Sequence, residues 1–315
     1  MAGLESLQAE MQIDSAAVAS YLTQFIAAKV EELEREGVIL GLSGGVDSAV
    51  VAALCGRAIG PDKVLVLVMP DKDSRKEHFQ DALTLAADLG IDTKVINLTN
   101  WLKEVDAYRL FALTKYSFLG KLRERIMKAA YGYYRKKTGE TPFSSSLLGF
   151  KDKDFSSYLK TGNAYYRLKH RLRMVLLYLH GELENRLVVG CANKTEYKIG
   201  FFVKHGCDDA ADVMPLLDLY KTQVKALAQQ LDIPRHIIEK APSPDILPGI
   251  NDEEAIGLSY KELDLILLAL EKGWAESEIS QAVGVEKERV EYVKGLIQRS
   301  DHMRQTYFPK LQNNV

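Results

Sequence analysis

Long apolar runs are missing from this 315-residue sequence, although 47% of its residues are hydrophobic. A membrane-spanning helix needs about 20 consecutive apolar residues, and no stretch approaches that length. Residues 1–14 carry three acidic side chains and have no apolar centre, so we expect no signal peptide. The composition therefore predicts a soluble, cytoplasmic protein that has no membrane partner.

The sequence also has few cysteines and a small net charge. The three cysteines, Cys55, Cys191 and Cys207, form no CxxC pair, so neither a zinc site nor a disulfide framework is predicted. The formal net charge is only −2, which gives no overall positive field to attract nucleic acid. We therefore predict no nucleic-acid partner. The chain length suits one large α/β domain over residues 1–315.

A glycine-rich turn between an apolar strand and a helix is the most informative stretch. Residues 38–42 have the pattern of a buried strand, and Ser43, Gly44 and Gly45 follow as a tight turn. Glycines let backbone N–H groups approach an anion, and the helix N-terminus adds positive charge at the same point. The hydroxyls of Ser43 and Ser48 add further donors. The turn therefore predicts a phosphate-binding loop.

An acidic residue, Asp47, lies in this loop, where a plain anion site would avoid negative charge. A divalent cation would explain it, since Mg²⁺ is usually held by one or two carboxylates together with phosphate oxygens. Residues 43–48, SGGVDS, fit neither the GxxxxGK[ST] pattern nor the GxGxxG pattern. They resemble the pyrophosphate loop of ATP pyrophosphatases, which cleave ATP between its α- and β-phosphates. The resemblance implies ATP as a substrate and magnesium as a cofactor.

Strands alternate with helices along the chain. Apolar runs at 63–69 and 186–189 are typical of strands buried in a parallel sheet, and residues 92–98 predict another strand. Amphipathic helices are predicted at 16–36, 76–89, 165–184 and 215–231. This alternation predicts an α/β fold with a doubly wound, Rossmann-like parallel sheet and helices on both faces, similar to adenine nucleotide α-hydrolases. Ligands should gather at the carboxyl ends of the strands.

Two regions depart from the alternation. Residues 110–163 are loosely patterned, although 115–137 has the spacing of a basic helix, and we interpret the region as an insertion or flexible loop. Residues 278–299 have the helix, turn and helix rhythm of a DNA-reading motif. Their glutamates would oppose phosphates, so we interpret 259–304 as a helical C-terminal cap of the same domain.

Five motifs in the same order make the resemblance more specific. They are the phosphate loop, residues 190–196, residues 202–212, residues 218–224 and residues 241–249. Together they cover most of 39–304, and the chain resembles NAD synthetases of the ammonia-dependent type. In that family ATP adenylates the pyridine carboxylate of deamido-NAD, pyrophosphate leaves, and ammonia displaces AMP. The resemblance implies a homodimer whose ligands are ATP, deamido-NAD and ammonia.

The resemblance also assigns residues near ATP. Asp47 and Glu196 would hold magnesium and Lys221 would contact phosphate, so these three are the predicted catalytic residues. The predicted ATP-binding residues are Ser43, Gly44, Gly45, Asp47, Ser48, Cys191, Lys221 and Ser243. Two simpler interpretations stay open: Lys221 as a surface lysine, and Glu196 as a charge favoured by a helix N-terminus.

For the residues that bind the dinucleotide acid, the motifs leave alternatives open. The family places a Gly-Asn pair before a basic helix, and either Arg167 or Arg171 suits the position that follows. The predicted deamido-NAD-binding residues are Asn163, Arg167, Arg171, Lys204, Asp208, Asp209, Asp212 and His302.

Three positions depart from the family pattern. Cys191 replaces a threonine, residues 204–209 read KHGCDD where the family has KYGDGG, and a His-Lys-Arg signature reads His302-Met303-Arg304. The first two differences favour one rival, a related amide ligase that adenylates a different carboxylic acid. A regulator that only senses ATP would have no need of both Asp47 and Glu196. Covalent cysteine catalysis is not predicted, because no partnered base is evident.

The source of ammonia is not fixed by these motifs. About 40 residues precede the first predicted strand, which is too few for a glutaminase domain of typical size. Use of glutamine would therefore require a separate glutaminase partner.

Overall fold

The computed structural model describes residues 2–110, 120–148, 155–242 and 249–309. The strands are β1 (Gly37–Gly41), β2 (Val64–Val68), β3 (Asp92–Val95) and β4 (Arg186–Val188). The helices that precede β4 are α1 (Ala2–Met11), α2 (Ser15–Glu32), α3 (Val46–Ile59), α4 (Lys76–Asp88), α5 (Thr99–Glu104), α6 (Gly120–Thr138), α7 (Pro142–Ser146) and α8 (Ser156–Leu183). Those that follow are α9 (Lys194–Ile199), α10 (Lys221–Gln230), α11 (Arg235–Glu239), α12 (Asp252–Ile256), α13 (Tyr260–Glu271), α14 (Glu276–Val283) and α15 (Lys287–Ser300).

The described strands form one parallel sheet in the order β3-β2-β1-β4. Val38 pairs with Val64 across β1 and β2, and Ile39 pairs with Val188 across β1 and β4. Every residue of β2 is buried because both faces of the sheet are covered. The predicted α/β fold with a parallel sheet is confirmed. Since β1 and β4 are neighbours, the loops that follow them meet at one edge of the sheet.

Successive residues of the buried strands pack into hydrophobic cores on opposite faces of the sheet. Val38 and Leu40 pack on one face with α2, α3, α4 and α10, whereas Ile39 and Leu67 pack on the other with α8. A further core joins α1, α9, α13, α14 and α15, and Tyr260 is one of its largest fully buried side chains. The residues with a DNA-reading rhythm are thus two helices packed on α13. No described helix is both long enough and apolar enough to cross a bilayer.

The region that we interpreted as a loop contains more helix than its sequence predicts. Helix α8 begins at Ser156 rather than near Tyr165, and α6 and α7 precede it. Residues 111–119 and 149–154 lie outside the described residues. The first turns of α8 were missed because they are polar, and the side chains that bury against the sheet begin only at Tyr165.

Gly44 fixes the path of the phosphate loop. Its φ of 78° lies in the left-handed region, and a β-carbon there would clash with the carbonyl oxygen of His78. We expect Gly44→Ala to lower the free energy of unfolding by about 1–3 kcal/mol, because backbone must move to relieve the overlap. Urea denaturation would measure the change.

The control for this prediction is Gly132→Ala in α6, where a β-carbon meets open space. That variant should be neutral or more stable by about 0.5–1 kcal/mol, since alanine favours a helix. Equal losses in the two variants would contradict the account of Gly44.

Candidate active site

The phosphate loop is held by its own hydroxyl groups. Ser48 Oγ accepts from the Ser43 N–H at 3.2 Å and donates to the Gly45 carbonyl at 3.0 Å. Ser43 Oγ in turn accepts from the Gly45 N–H at 3.3 Å. Gly45 is also the N-cap of α3 and brings no side chain to the first N–H groups of that helix. The N-terminus of α3 therefore offers backbone donors and positive charge to an anion.

Lys221, the first residue of α10, lies between the two predicted metal ligands. Its Nζ donates to Asp47 Oδ2 at 2.5 Å and to Glu196 Oε1 at 2.8 Å. Burial alone would lower the pKa of Lys221, but the two carboxylates outweigh it and the pKa is raised. With 2% of its surface exposed, Lys221 is not a surface lysine.

A third acidic residue, Asp252, joins this group and was not predicted from the sequence. The Tyr260 hydroxyl lies 2.9 Å from Glu196 Oε1 and 3.1 Å from Asp252 Oδ2. Burial raises the pKa of Asp252 to about 7, and it also raises the pKa of Glu196. Asp47, Glu196 and Asp252 thus surround the single ammonium of Lys221. We call these four residues and Tyr260 the acidic network.

Asn193 links the phosphate loop to α9. It is the N-cap of α9, and its Oδ1 accepts from the Glu196 N–H at 3.0 Å. Its Nδ2 donates to Asp47 Oδ1, also at 3.0 Å. One fully buried amide therefore orients both predicted metal ligands.

Asp264 of α13 positions the start of α10. It accepts from Thr195 Oγ1 at 2.5 Å and from the Thr222 N–H at 2.8 Å. Thr195 in turn accepts from the Lys221 N–H at 2.9 Å. Asp264 was not predicted from the sequence, because its partners are distant in the chain.

The phosphate loop and the acidic network line a cavity of about 260 Å³, which we call the ATP-side cavity. Three cationic side chains that were not predicted to bind ATP also line it, namely Arg75, Arg173 and Lys240. Lys240 donates to the Gly44 carbonyl at 3.0 Å, and Arg173 donates to the Met69 carbonyl at 3.4 Å. Lys240 directly precedes the predicted motif at 241–249, and this adjacency is the sequence signal that points to it.

Cys191 and Cys207 line the same cavity as protonated thiols, because burial raises the pKa of both well above its usual value. Cys207 Sγ lies 3.4 Å from His170 Nδ1, and that same nitrogen lies 2.6 Å from Asp208 Oδ2. A catalytic triad uses the two ring nitrogens separately. This arrangement therefore does not prepare Cys207 as a nucleophile.

The predicted dinucleotide-binding residues divide between two further cavities. A basic cavity of about 460 Å³ is lined by Arg167, Arg171, Lys204 and His302, so both arginine alternatives face one space. Asn163 lines an adjoining aromatic cavity of about 430 Å³. Its rings include Tyr131, Tyr133, Tyr134, Phe143, Phe155, Tyr158, Tyr165, Tyr166, Phe201 and Phe202.

These cavities share walls. Arg167 lines both the basic and the aromatic cavity, while Tyr166 and Phe201 line both the aromatic and the ATP-side cavity. The three spaces therefore adjoin one another in series.

The remaining predicted residues are placed differently. Asp208 lines the ATP-side cavity, where His170 holds its pKa below the usual value against the opposing effect of burial. Asp209 accepts a backbone N–H of its own loop at 2.8 Å, and Asp212 accepts one from β4 at 2.9 Å. Both carboxylates thus bind backbone. Ser243 lies outside the described residues.

A family model described as NAD synthase matches residues 18–141 and 149–307. The NH(3)-dependent NAD(+) synthetase of Thermotoga neapolitana is 41% identical over 283 residues, which cover 90% of this chain and 92% of that protein. The protein of the same name from Methanocaldococcus jannaschii is 35% identical over 287 residues, covering 91% and 93%.

Two solved structures are similar over nearly their full length. NMN synthetase from Francisella tularensis aligns with a TM-score of 0.68 and 26% identity, covering 95% of this chain and 99% of that one. The NH3-dependent NAD synthetase from Campylobacter jejuni aligns with a TM-score of 0.63 and 26% identity, covering 96% and 100%.

The parallel sheet and the glycine loop at its edge define an α/β protein of the pyrophosphate-loop class. Within this class, the NAD synthase family model matches most of the sequence, and the relative from Thermotoga neapolitana is 41% identical. The chain belongs to the NAD synthase family, and the resemblance inferred from its motifs is confirmed.

Replacing Asp252 with asparagine should stabilise the ligand-free protein at neutral pH. The pKa of Asp252 is raised from 3.8 to about 7, so its carboxyl favours the folded state only while it is protonated. That contribution is complete below the unfolded value and is lost as the pH rises from about 4 to about 7. Melting temperatures of the wild type and Asp252→Asn should agree near pH 4 and diverge toward pH 7.5, with the variant higher. A difference that does not depend on pH would contradict this assignment.

Proposed function

We propose that this protein is an ammonia-dependent NAD synthetase that converts deamido-NAD, ATP and ammonia into NAD, AMP and pyrophosphate. The observation that carries the proposal is the series of adjoining cavities. The first is lined by the phosphate loop and the acidic network, and the others offer aromatic and basic walls. This series suits an ATP molecule next to a dinucleotide.

The first half of the reaction makes the carboxylate electrophilic. An oxygen of the pyridine carboxylate attacks the α-phosphorus of ATP, and the bond to pyrophosphate breaks with its electron pair on the leaving oxygen. Negative charge grows there, so donors aimed at it lower the barrier. We propose that the backbone N–H groups around Gly44 and Gly45, together with Lys221 and Lys240, stabilise this charge.

Magnesium fits the donor set of the acidic network. Oxygens of Asp47 and Glu196 both lie within 2.8 Å of Lys221 Nζ, so they converge on one point, and hard carboxylate ligands suit Mg²⁺. We propose that Asp47 and Glu196 hold the ion, which would neutralise charge on the ATP phosphates. Lys221 would then donate to a phosphate oxygen.

The other two cavities suit the acid substrate. The guanidinium groups of Arg167 and Arg171 favour a diphosphate, and the aromatic cavity favours stacking of a planar ring. Lys204 contributes differently, since its Nζ donates to the carbonyls of His302 at 2.8 Å and Gln305 at 2.5 Å. It ties the C-terminal segment to the wall of the basic cavity.

A second candidate substrate is the mononucleotide acid whose amide is NMN, because one similar solved structure is an NMN synthetase. A mononucleotide lacks the adenylate half of deamido-NAD. It would therefore leave part of the basic and aromatic cavities, which we call the acid-side cavities, unused, and we favour the dinucleotide.

The test is an assay with ATP, Mg²⁺ and ammonium, with either deamido-NAD or the mononucleotide acid. We expect NAD, AMP and pyrophosphate in equal amounts with deamido-NAD, and a lower kcat/KM with the mononucleotide. A preference for the mononucleotide would replace the first assignment with the second. ATP cleavage that requires neither acid would contradict both.

Asp47→Asn should lower kcat for NAD formation by about 10²–10³-fold, because a group that organises charge around the phosphates is lost. The control is Asp232→Asn, which replaces an exposed aspartate whose φ of 58° asparagine also tolerates. The control should keep wild-type kinetics. An active Asp47→Asn enzyme would exclude Asp47 from the proposed metal pair.

The proposed homodimer is supported by an apolar stripe on α8. Val175, Leu179 and Leu183 are all exposed and follow one another at four-residue spacing, on the same side of the helix. Leu179→Glu should shift the protein toward monomer in light scattering coupled to size exclusion. Val105→Glu, an exposed apolar position outside the stripe, should leave the oligomeric state unchanged. Two variants with the same mass would rule out this stripe as the interface.

A further inference from the structure

Asp252 carries an acceptor atom that the described residues leave unpaired. Its Oδ2 is 3.1 Å from the Tyr260 hydroxyl, whereas its buried Oδ1 has no hydrogen-bond partner among them. The residue is 6% exposed and lines the ATP-side cavity. An unpaired buried acceptor costs about 1–3 kcal/mol, so its presence at a cavity wall points to a ligand that donates.

The balance of charge in the acidic network also favours a cationic ligand. Lys221 donates to Asp47 and Glu196, and its ammonium is the single positive group within the acidic network. The proposed magnesium ion takes up the same two carboxylates. Of the three carboxyl groups in the acidic network, Asp252 is then the one that is not paired with a cation.

A small, positively charged ligand with N–H donors suits both the unpaired oxygen and the excess of carboxyl groups. Ammonium has these properties, and the proposed reaction consumes its nitrogen in every turnover. A charge-assisted hydrogen bond to a buried carboxylate contributes about 1.5–3 kcal/mol. The Tyr260 ring, whose centroid is 5.1 Å from Lys221 Nζ, adds an aromatic surface that also favours cations.

We propose that Asp252 Oδ1 forms the ammonium-binding site of this protein, and that Tyr260 orients the carboxyl group through its other oxygen. The inference rests on the proposed function and assigns the nitrogen substrate to a residue outside the proposed metal pair. It concerns binding of the co-substrate and leaves adenylation of the acid to the groups described above.

Adenylation of the acid and its reaction with ammonium can be assayed separately. This distinguishes ammonium binding by Asp252 from a role in binding magnesium or ATP. Exchange of labelled pyrophosphate into ATP requires the acid and magnesium but no ammonium, so it reports adenylation alone. We expect Asp252→Asn to raise the KM for ammonium by about 10–100-fold, the equivalent of one lost charge-assisted bond. Pyrophosphate exchange and its dependence on Mg²⁺ should stay near wild type. Asparagine keeps the shape of the side chain, and a melting curve confirms that the variant is folded.

Glu254→Gln is the matched control. Glu254 lies two residues away and pairs with Lys128 at 2.9 Å, outside the ATP-side cavity. Its KM for ammonium should equal that of the wild type.

Three results would overturn the inference. An unchanged KM for ammonium in Asp252→Asn would exclude the site. A parallel fall in pyrophosphate exchange, or a shift in its Mg²⁺ dependence, would place Asp252 with the metal ligands instead. A wild-type protein that forms no NAD in the same assay would overturn the proposed function, and this inference with it.

Discussion

The ion pairs of Lys221 are the interaction on which the site depends. Through them α10 is fastened to the start of α3 at Asp47 and to α9 at Glu196. Burying these charges has a large desolvation cost, which is offset only while every partner is in place. The network therefore holds the edge of the sheet, the phosphate loop and the C-terminal helices in one arrangement before any ligand binds, with Asn193 and Asp264 fixing the direction of the participating helices.

The excess of carboxyl groups in the acidic network destabilises the ligand-free protein and favours the binding of cations. Three carboxyl groups around one ammonium raise the pKa of Asp252 and Glu196, because burial and mutual repulsion both disfavour the charged forms. Cations relieve that repulsion. The ligand-free protein thus stores electrostatic free energy at a point where the proposed reaction brings together positive ions and phosphate, which is a common relation between stability and function.

Motifs that are continuous in sequence were predictable, and contacts between distant segments were not. The phosphate loop, the sheet and family membership followed from Ser43 to Ser48 and from buried runs such as 63–69, since each is set by local chemistry. The burial of Lys221 did not follow, because an exposed helix lysine has the same local pattern. Asp264 was missed because its partner Thr195 lies 69 residues away, and Asp252 was missed because the charged groups around it come from other segments of the chain. The start of α8 was missed because its first turns are polar.

Helix α8 serves several surfaces with one rigid element. Asn163, Arg167 and Arg171 face the acid-side cavities, His170 and Arg173 face the ATP-side cavity, and Leu179 lies on the exposed apolar stripe. Inserting one residue would turn everything beyond it by about 100°. The arginines, the wall of the ATP-side cavity and the apolar stripe could then no longer all face their present surroundings. The spacing from Asn163 to Leu183 along α8 therefore fixes how the cavities are oriented relative to the apolar stripe.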